Sequence, residues 1–168
     1  GNLLALVQDD PVRLLAWSTV AQAGWVVLPL SALDPRSAAA SGGYLLAYVI
    51  ATLVAFCVVH IIGSAPGAVG ADGRRPGLAA YTGLLRAHPL LGGALGLALL
   101  SLAGLPPGII GLVAKVVALQ PVVAGQQWLL ACTAVANAVL GIAVYLRWFA
   151  VLLRDPAARS WTTAALRQ

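Results

Sequence analysis

Lys115 is the only charged residue between Arg86 and Arg147. A primary amine in such an interval can take up and release a proton, because apolar surroundings disfavour its charge while water or a nearby acid favours it. About ten uncharged residues flank it on either side, so at about 1.5 Å per residue it lies roughly 15 Å from either end of its helix. That is beyond the reach of an unaided snorkelling side chain. Holding an ammonium there costs at least about 2.5 to 3.5 kcal/mol, and residues that carry such a cost face a bundle interior or water and mark ion or proton paths. The preceding stretch, Ser101-Leu102-Ala103-Gly104-Leu105-Pro106-Pro107-Gly108-Ile109-Ile110-Gly111, is rich in helix breakers. Pro106, Pro107, Gly108 and Gly111 predict a helix interrupted close to Lys115. Backbone groups freed at membrane depth are tolerated only where protein or water satisfies them, as at midplane transport sites. The ordinary alternative is a proline placed harmlessly at a helix start.

His60 is the second titratable candidate, since an imidazole near neutrality suits proton relay. No acid or second histidine stands at helical spacing from it, which equally fits an interfacial or packing histidine. His88, before Pro89, reads as solvated. Asn137, Thr133 and Gln127 read as hydrogen-bonding groups between helices. Cys57 and Cys132 lie in different apolar segments, outside any Cys-x-x-Cys arrangement, and read as small buried hydrophobes. Nothing in the sequence resembles a metal site, a phosphate loop or a nucleophile with its base, so neither autonomous catalysis nor a bound cofactor is expected.

The elements that must position these residues are membrane helices. The chain is 61% hydrophobic and 9% charged, against roughly 25% charged in a soluble domain. The nearly uncharged interval of about 60 residues matches roughly three crossings of about 20 residues each. Apolar segments recur to the end, which excludes one cleavable signal peptide ahead of a soluble remainder. The net charge of +5 is scattered through loops rather than gathered on one aromatic-interleaved face. It therefore suits flanking anchors and not nucleic acid. The expectation is an all-α, polytopic transmembrane bundle of about five spans, one discontinuous near Lys115. The spans read as Arg13 to Leu33, Tyr44 to Ile62, Pro89 to Ala103, Leu105 to Ala124 and Trp128 to Leu153.

These form one membrane domain over 1–168, with a connecting loop at 64–88 that holds a short amphipathic piece from Leu78 to Leu85. Residues 155–168 read as a polar tail. Ser41-Gly42-Gly43 reads as a loop, followed by Tyr44 and Tyr48 as interfacial anchors. Trp17, Ser18, Thr19, Gln22 and Trp25 are expected to face neighbouring helices, and Arg13 to lie at a membrane surface. Gly1 to Leu6 reads as the tail of a helix. Together with the absence of methionine, it leads to the expectation of a piece of a longer polypeptide.

Leu102-Ala103-Gly104-Leu105-Pro106-Pro107, followed by Gly111 and Lys115, resembles the discontinuous helix of the proton-pumping antiporter-like subunits of NADH:quinone oxidoreductase, respiratory complex I. Gly1-Asn2-Leu3-Leu4-Ala5-Leu6 and the run from Arg13 to Trp25 are similar to that family's G-N-L-x-A-L and K-R-L-L-A-Y-S-S-I-x-H-x-G-Y. Tyr44-Leu45-Leu46-Ala47-Tyr48 and Tyr81-Thr82-Gly83-Leu84 with Pro89 resemble two further motifs in the same order. The likeness covers about Gly1 to Asp155, and a lysine with no acid after it looks most like the N-type subunits.

The resemblance implies proton translocation through Lys115, coupled to quinone reduction elsewhere in the complex, with no cofactor on this chain. It implies other membrane subunits of a respiratory complex and the lipid bilayer as partners. It also implies a bacterial inner or plasma membrane as the location. Val12 stands where the family usually has lysine and Gln22 where it often has histidine. The family's first inverted half, with its own lysine and glutamate, has no counterpart here. The alternatives are a subunit of a multisubunit sodium/proton antiporter, whose corresponding helix also carries a lysine, and a non-pumping structural membrane module.

Overall fold

The computed structural model describes residues 1–32, 35–65 and 76–154. Within them lie α1 (Asn2–Leu6), α2 (Pro11–Val27), α3 (Ser37–Gly63), α4 (Leu84–Ala87), α5 (Pro89–Ala103), α6 (Ile109–Ala124) and α7 (Trp128–Leu153), with no strand among the described residues. A 3-10 turn, Leu28–Ala32, extends α2, and another, Leu78–Tyr81, precedes α4. Local chemistry sets several of these boundaries. Pro11 opens α2, and the Asp10 carboxylate accepts the backbone N–H of Val12 at 2.8 Å and of Arg13 at 3.2 Å. This satisfies two donors that a helix start leaves free. Arg13 is exposed at this end.

Three stretches, Pro11–Ala32, Ser37–Gly63 and Trp128–Leu153, are each long and apolar enough to cross a membrane. The 15 residues of α5 and the 16 of α6 reach only about 22 to 24 Å apiece, short of a hydrocarbon core of about 30 Å. They run in series. Gly96 of α5 lies beside Phe149 and Leu152 near the end of α7, whereas Leu102 approaches Gln22 in mid-bundle. α6 starts against Ser101 and finishes with Pro121 and Ala124 opposite Arg36. The five apolar segments read from the sequence are all helical, and two of them are halves of one interrupted crossing. α4 meets α5 at a bend of 120°.

The interior joins Leu14 and Leu15 of α2, Ala55 of α3, Leu95 and Leu99 of α5 and Trp148 of α7. Tyr81 meets Trp148 edge to face, with ring centroids 5.6 Å apart, an arrangement that suits the aromatic quadrupoles. The outward faces carry Leu46, Leu53, Leu129 and Val139, all exposed, as a surface solvated by lipid requires.

Several sequence expectations need correction. Ser41, Gly42 and Gly43 are not a loop but lie inside α3. A Cβ at either glycine would meet nothing within 4 Å. The penalty of about 1 kcal/mol per glycine is smaller than that of baring backbone groups in hydrocarbon. Tyr44 consequently sits two turns into α3 and is buried, not anchored at an interface. α6 begins at Ile109 and not at Leu105, because Gly104 to Gly108 form the break. The piece from Leu78 to Leu85 is helical but divided at Gly83, whose φ of 73° a side chain would oppose. Cys57 and Cys132 are exposed on outward faces. Thr19 turns back to its own Leu15 carbonyl, Thr133 to Leu129, and Trp17 is exposed. Asp34 and the 155–168 segment lie outside the described residues.

Arg147, legible in sequence only as a cation near the end of the last span, ties α7 to α1. Its guanidinium donates to the carbonyls of Leu6 and Gln8 and pairs with the Asp9 carboxylate. The Leu6 carbonyl is one that the C-terminus of α1 leaves unsatisfied, and the Gln8 carbonyl lies just beyond that helix. Asp9 is largely exposed, so Asp9→Asn is expected to cost less than about 1 kcal/mol. Arg147→Met is expected to cost about 1 to 3 kcal/mol, because it strips donors from two carbonyls as well. Thermal inactivation of the two variants in membranes checks this ranking, and equal midpoints would refute it.

Candidate functional site

The break that places Lys115 follows from glycine at particular positions. α5 closes at Gly104 with φ 79°, and the N–H groups of Gly104 and Leu105 both return to the Leu100 carbonyl. This is a left-handed helix cap that only glycine enters without strain. Pro106 and Pro107, joined by a cis peptide bond, carry the chain out and back. α6 then starts hard against the end of α5. A Cβ on Gly108 would lie 2.4 Å from the Ser101 nitrogen, and one on Gly111 only 1.7 Å from the Ser101 carbonyl oxygen. Bare backbone at both positions lets the two halves touch.

Lys115 lies one turn beyond Gly111 and is buried, with 8% of its surface exposed. Its Nζ donates to the carbonyls of Leu102 and Ala103, each at 2.8 Å. These are carbonyls of the last turn of α5, left free by the break, whose dipole suits a cation. Two acceptors match the two N–H bonds of a neutral amine. An ammonium adds a third N–H near the Trp25 ring, whose centroid is 5.9 Å from Nζ, within the range of a cation–π contact. Among the described residues no carboxylate pairs with Lys115; Asp9 and Asp10 lie at the start of α2.

A chain of polar side chains continues from the same carbonyl. Gln22 Nε2 donates to Tyr145 Oη at 2.9 Å and lies 3.5 Å from the Leu102 carbonyl oxygen. Tyr44 donates to Gln22 Oε1, and Ser18 shares a hydrogen bond with Tyr145. Tyr44 also stacks on Trp25 at 5.9 Å between centroids. Ser18, Gln22 and Trp25 stand at i, i+4 and i+7 on one face of α2, so a single helix edge delivers all three. Beside the break, α3, α5 and α6 border a cavity of about 360 Å³ lined by Tyr44, Tyr48, Ser101, Leu102 and Gly111, among others.

Of the residues singled out in the sequence, Pro106, Pro107, Gly108, Gly111 and Lys115 come together as one unit. His60 does not join them. It lies exposed in the last turn of α3, beside Asp10, Ser64 and Tyr81 around a separate cavity of about 380 Å³. Sixteen residues of α3 separate it from Tyr44, about 24 Å of helix. His88 is exposed. Gln127 bonds Ser31 in both directions, and Asn137 accepts from Asn2 at 2.8 and 2.9 Å. Sequence reading missed Tyr145 and Tyr44 as members of the polar chain; the available signal was the Ser18, Gln22 spacing, which demanded partners on another helix.

Residues 1–141 match the family described as NADH:quinone oxidoreductase/Mrp antiporter, TM. This chain belongs to that family. It is 44% identical over 162 residues to NADH-quinone oxidoreductase subunit N of Salinispora tropica, a match covering 90% of this chain and 30% of the relative. Against NADH-quinone oxidoreductase subunit N 2 of Streptomyces griseus the identity is 42% over 172 residues, covering 97% and 31%. In three dimensions it superposes on a chain of respiratory complex I from Thermus thermophilus, solved with bound aureothin. The TM-score is 0.72 with 36% identity, over 92% of this chain and 33% of that one. The chain thus spans about a third of the length of these relatives. An all-α membrane bundle with a helix broken before Lys115 is the fold, and the chain is an integral membrane protein.

Proposed function

We propose that this chain carries a proton-translocation site of an N-type antiporter-like subunit, working within an NADH:quinone oxidoreductase whose redox chemistry lies in other subunits. The observation that carries the reading is the pairing of the buried Lys115 amine with the two free carbonyls of Leu102 and Ala103. An amine held by two carbonyls, with no carboxylate paired to it among the described residues to fix its charge, can change protonation in place. Gln22, Tyr145, Tyr44 and Ser18 supply donors and acceptors through which protons reach or leave it. Pro106, Pro107, Gly108 and Gly111 make the break and the close approach that bring the amine to the Leu102 and Ala103 carbonyls. The bilayer, neighbouring membrane subunits and protons are the partners this reading requires, in a bacterial inner or plasma membrane. His60, exposed at the far end of α3, enters this reading only as a group at the surface where protons arrive.

The test is isolation of the full-length protein by an affinity tag from its native membrane. Flavin- and iron–sulfur-containing subunits with NADH:quinone reductase activity should accompany it. Isolation instead with sodium-dependent antiporter subunits and no NADH oxidation would reject the respiratory assignment in favour of the other branch of the same family.

A further inference from the structure

One neighbour of Lys115 acts on its charge and not on its hydrogen bonds. Nζ donates to the Leu102 and Ala103 carbonyls, acceptors that an amine and an ammonium can both use. The Trp25 ring is different. Its centroid lies 5.9 Å from Nζ, and the face of an indole attracts a cation through its quadrupole. A neutral amine feels little of this. Trp25 is 5% exposed, and such contacts gain strength when desolvated. Among the described residues no carboxylate pairs with Lys115. The countercharge that a buried cation usually takes from an acid is therefore left to the ring and to the negative end of α5.

The ring is fixed in that place by its own contacts. It stacks on Tyr44, with centroids 5.9 Å apart and planes inclined by 18°. The Tyr44 hydroxyl donates to Gln22, three residues before Trp25 on α2, so the stacking partner is tied back to the helix that carries the indole. Trp25 also shares a buried cluster with Ala114 and Ala118, which stand one residue before and three after Lys115 on α6. The amine is confined as well. A Cβ on Gly104 would lie 3.3 Å from both Cδ and Nζ of Lys115, so the glycine cap of α5 lies against the tip of the side chain.

We propose that Trp25 is a positioning residue that sets the charge preference of Lys115, its indole held beside the amine by Tyr44 and favouring the ammonium. The inference rests on the reading of Lys115 as a proton carrier. A carrier must bind its proton at one stage and give it up at another, and the ring acts on the first. The titratable groups around the site are Tyr44 and Tyr48 of α3 and Tyr145 of α7, phenols that ordinarily stay neutral below about pH 10. α2 brings Gln22 and α5 brings carbonyls. The ring is thus the group whose replacement changes the energy of the ammonium while leaving both hydrogen bonds of Nζ in place.

The test measures protons translocated per electron pair as a function of pH, in sealed vesicles containing the full-length protein in the assembled complex. Counting per electron sets aside changes in the rate of the redox reaction. Trp25→Leu withdraws a partner of the ammonium, so the alkaline limb, where the amine no longer loads, is expected about one pH unit lower. One unit is about 1.4 kcal/mol, the size of a buried cation–π contact. Trp25→Phe keeps a ring and is expected to recover about half of the shift or more. A large-to-small change at a buried site also disturbs packing, so a second series puts tryptophans with one, two and three ring fluorines at this position by nonsense suppression. Fluorine draws charge from the ring face with little change of shape, and the limb is expected to move to lower pH with each one. An alkaline limb that fluorination leaves at the wild-type pH overturns the proposal, as does an equal shift in Trp25→Leu and Trp25→Phe. Failure here with a deficient Lys115→Met leaves the carrier reading standing, whereas a fully pumping Lys115→Met removes both.

Discussion

Gly111→Ala should prevent the two halves of the broken crossing from meeting. The new Cβ would stand 1.7 Å from the Ser101 carbonyl oxygen, and its neighbour there is backbone, which has no rotamer to yield. Overpacking of this kind costs about 1 to 3 kcal/mol and occasionally more, and the upper end applies where two main chains collide. α6 would have to move away from α5, and Lys115, one turn further along, would be drawn off the Leu102 and Ala103 carbonyls. The expected outcome is a complex that accumulates poorly in the membrane and inactivates at a lower temperature. Gly42→Ala and Gly43→Ala are the controls, since an added Cβ there meets nothing within 4 Å. They should be neutral or stabilising by up to about 1 kcal/mol. A Gly111→Ala protein as abundant and heat-resistant as either control would show that the halves do not touch.

The break was legible because its causes are local. Pro106, Pro107, Gly108 and Gly111 each limit the backbone on their own, and an uncharged interval exposes a single lysine without reference to any partner. For the same reason the spans Pro89 to Ala103 and Trp128 to Leu153 could be bounded correctly by a proline start, a glycine cap and a tryptophan at the edge. The start of α3 was not legible. Ser41-Gly42-Gly43 has the composition of a loop in water, but in hydrocarbon the need to satisfy backbone groups keeps it helical. The polar chain around Lys115 was half legible. Ser18 and Gln22 announce a polar face on α2, yet the partner Tyr145 stands 123 residues away from Gln22, and nothing in one sequence says which distant tyrosine will face that edge. Arg147 likewise read as an anchor until the fold brought Leu6, Gln8 and Asp9 beside it. That α5 and α6 share one crossing is also a property of packing and not of pattern, since each half alone has the apolar composition of a span.

Replacing Lys115 by methionine should separate proton transfer from assembly. Methionine keeps an unbranched apolar chain of similar length, and removing a buried charge leaves no unpaired charge behind. The Leu102 and Ala103 carbonyls lose a donor, a loss of about 1 to 3 kcal/mol. Release from holding a cation in hydrocarbon, at least about 2.5 to 3.5 kcal/mol, opposes it. The variant should therefore assemble and reduce quinone while translocating fewer protons. Lys115→Arg should be no better, because a guanidinium does not deprotonate in a protein and would keep the site permanently charged. A structural lysine predicts the opposite, with pumping untouched wherever packing survives. The decisive measurement is the number of protons translocated per electron pair by sealed vesicles containing equal amounts of assembled wild-type or Lys115→Met complex. A proton-carrying amine predicts a lowered ratio; a ratio equal to the wild type would contradict it.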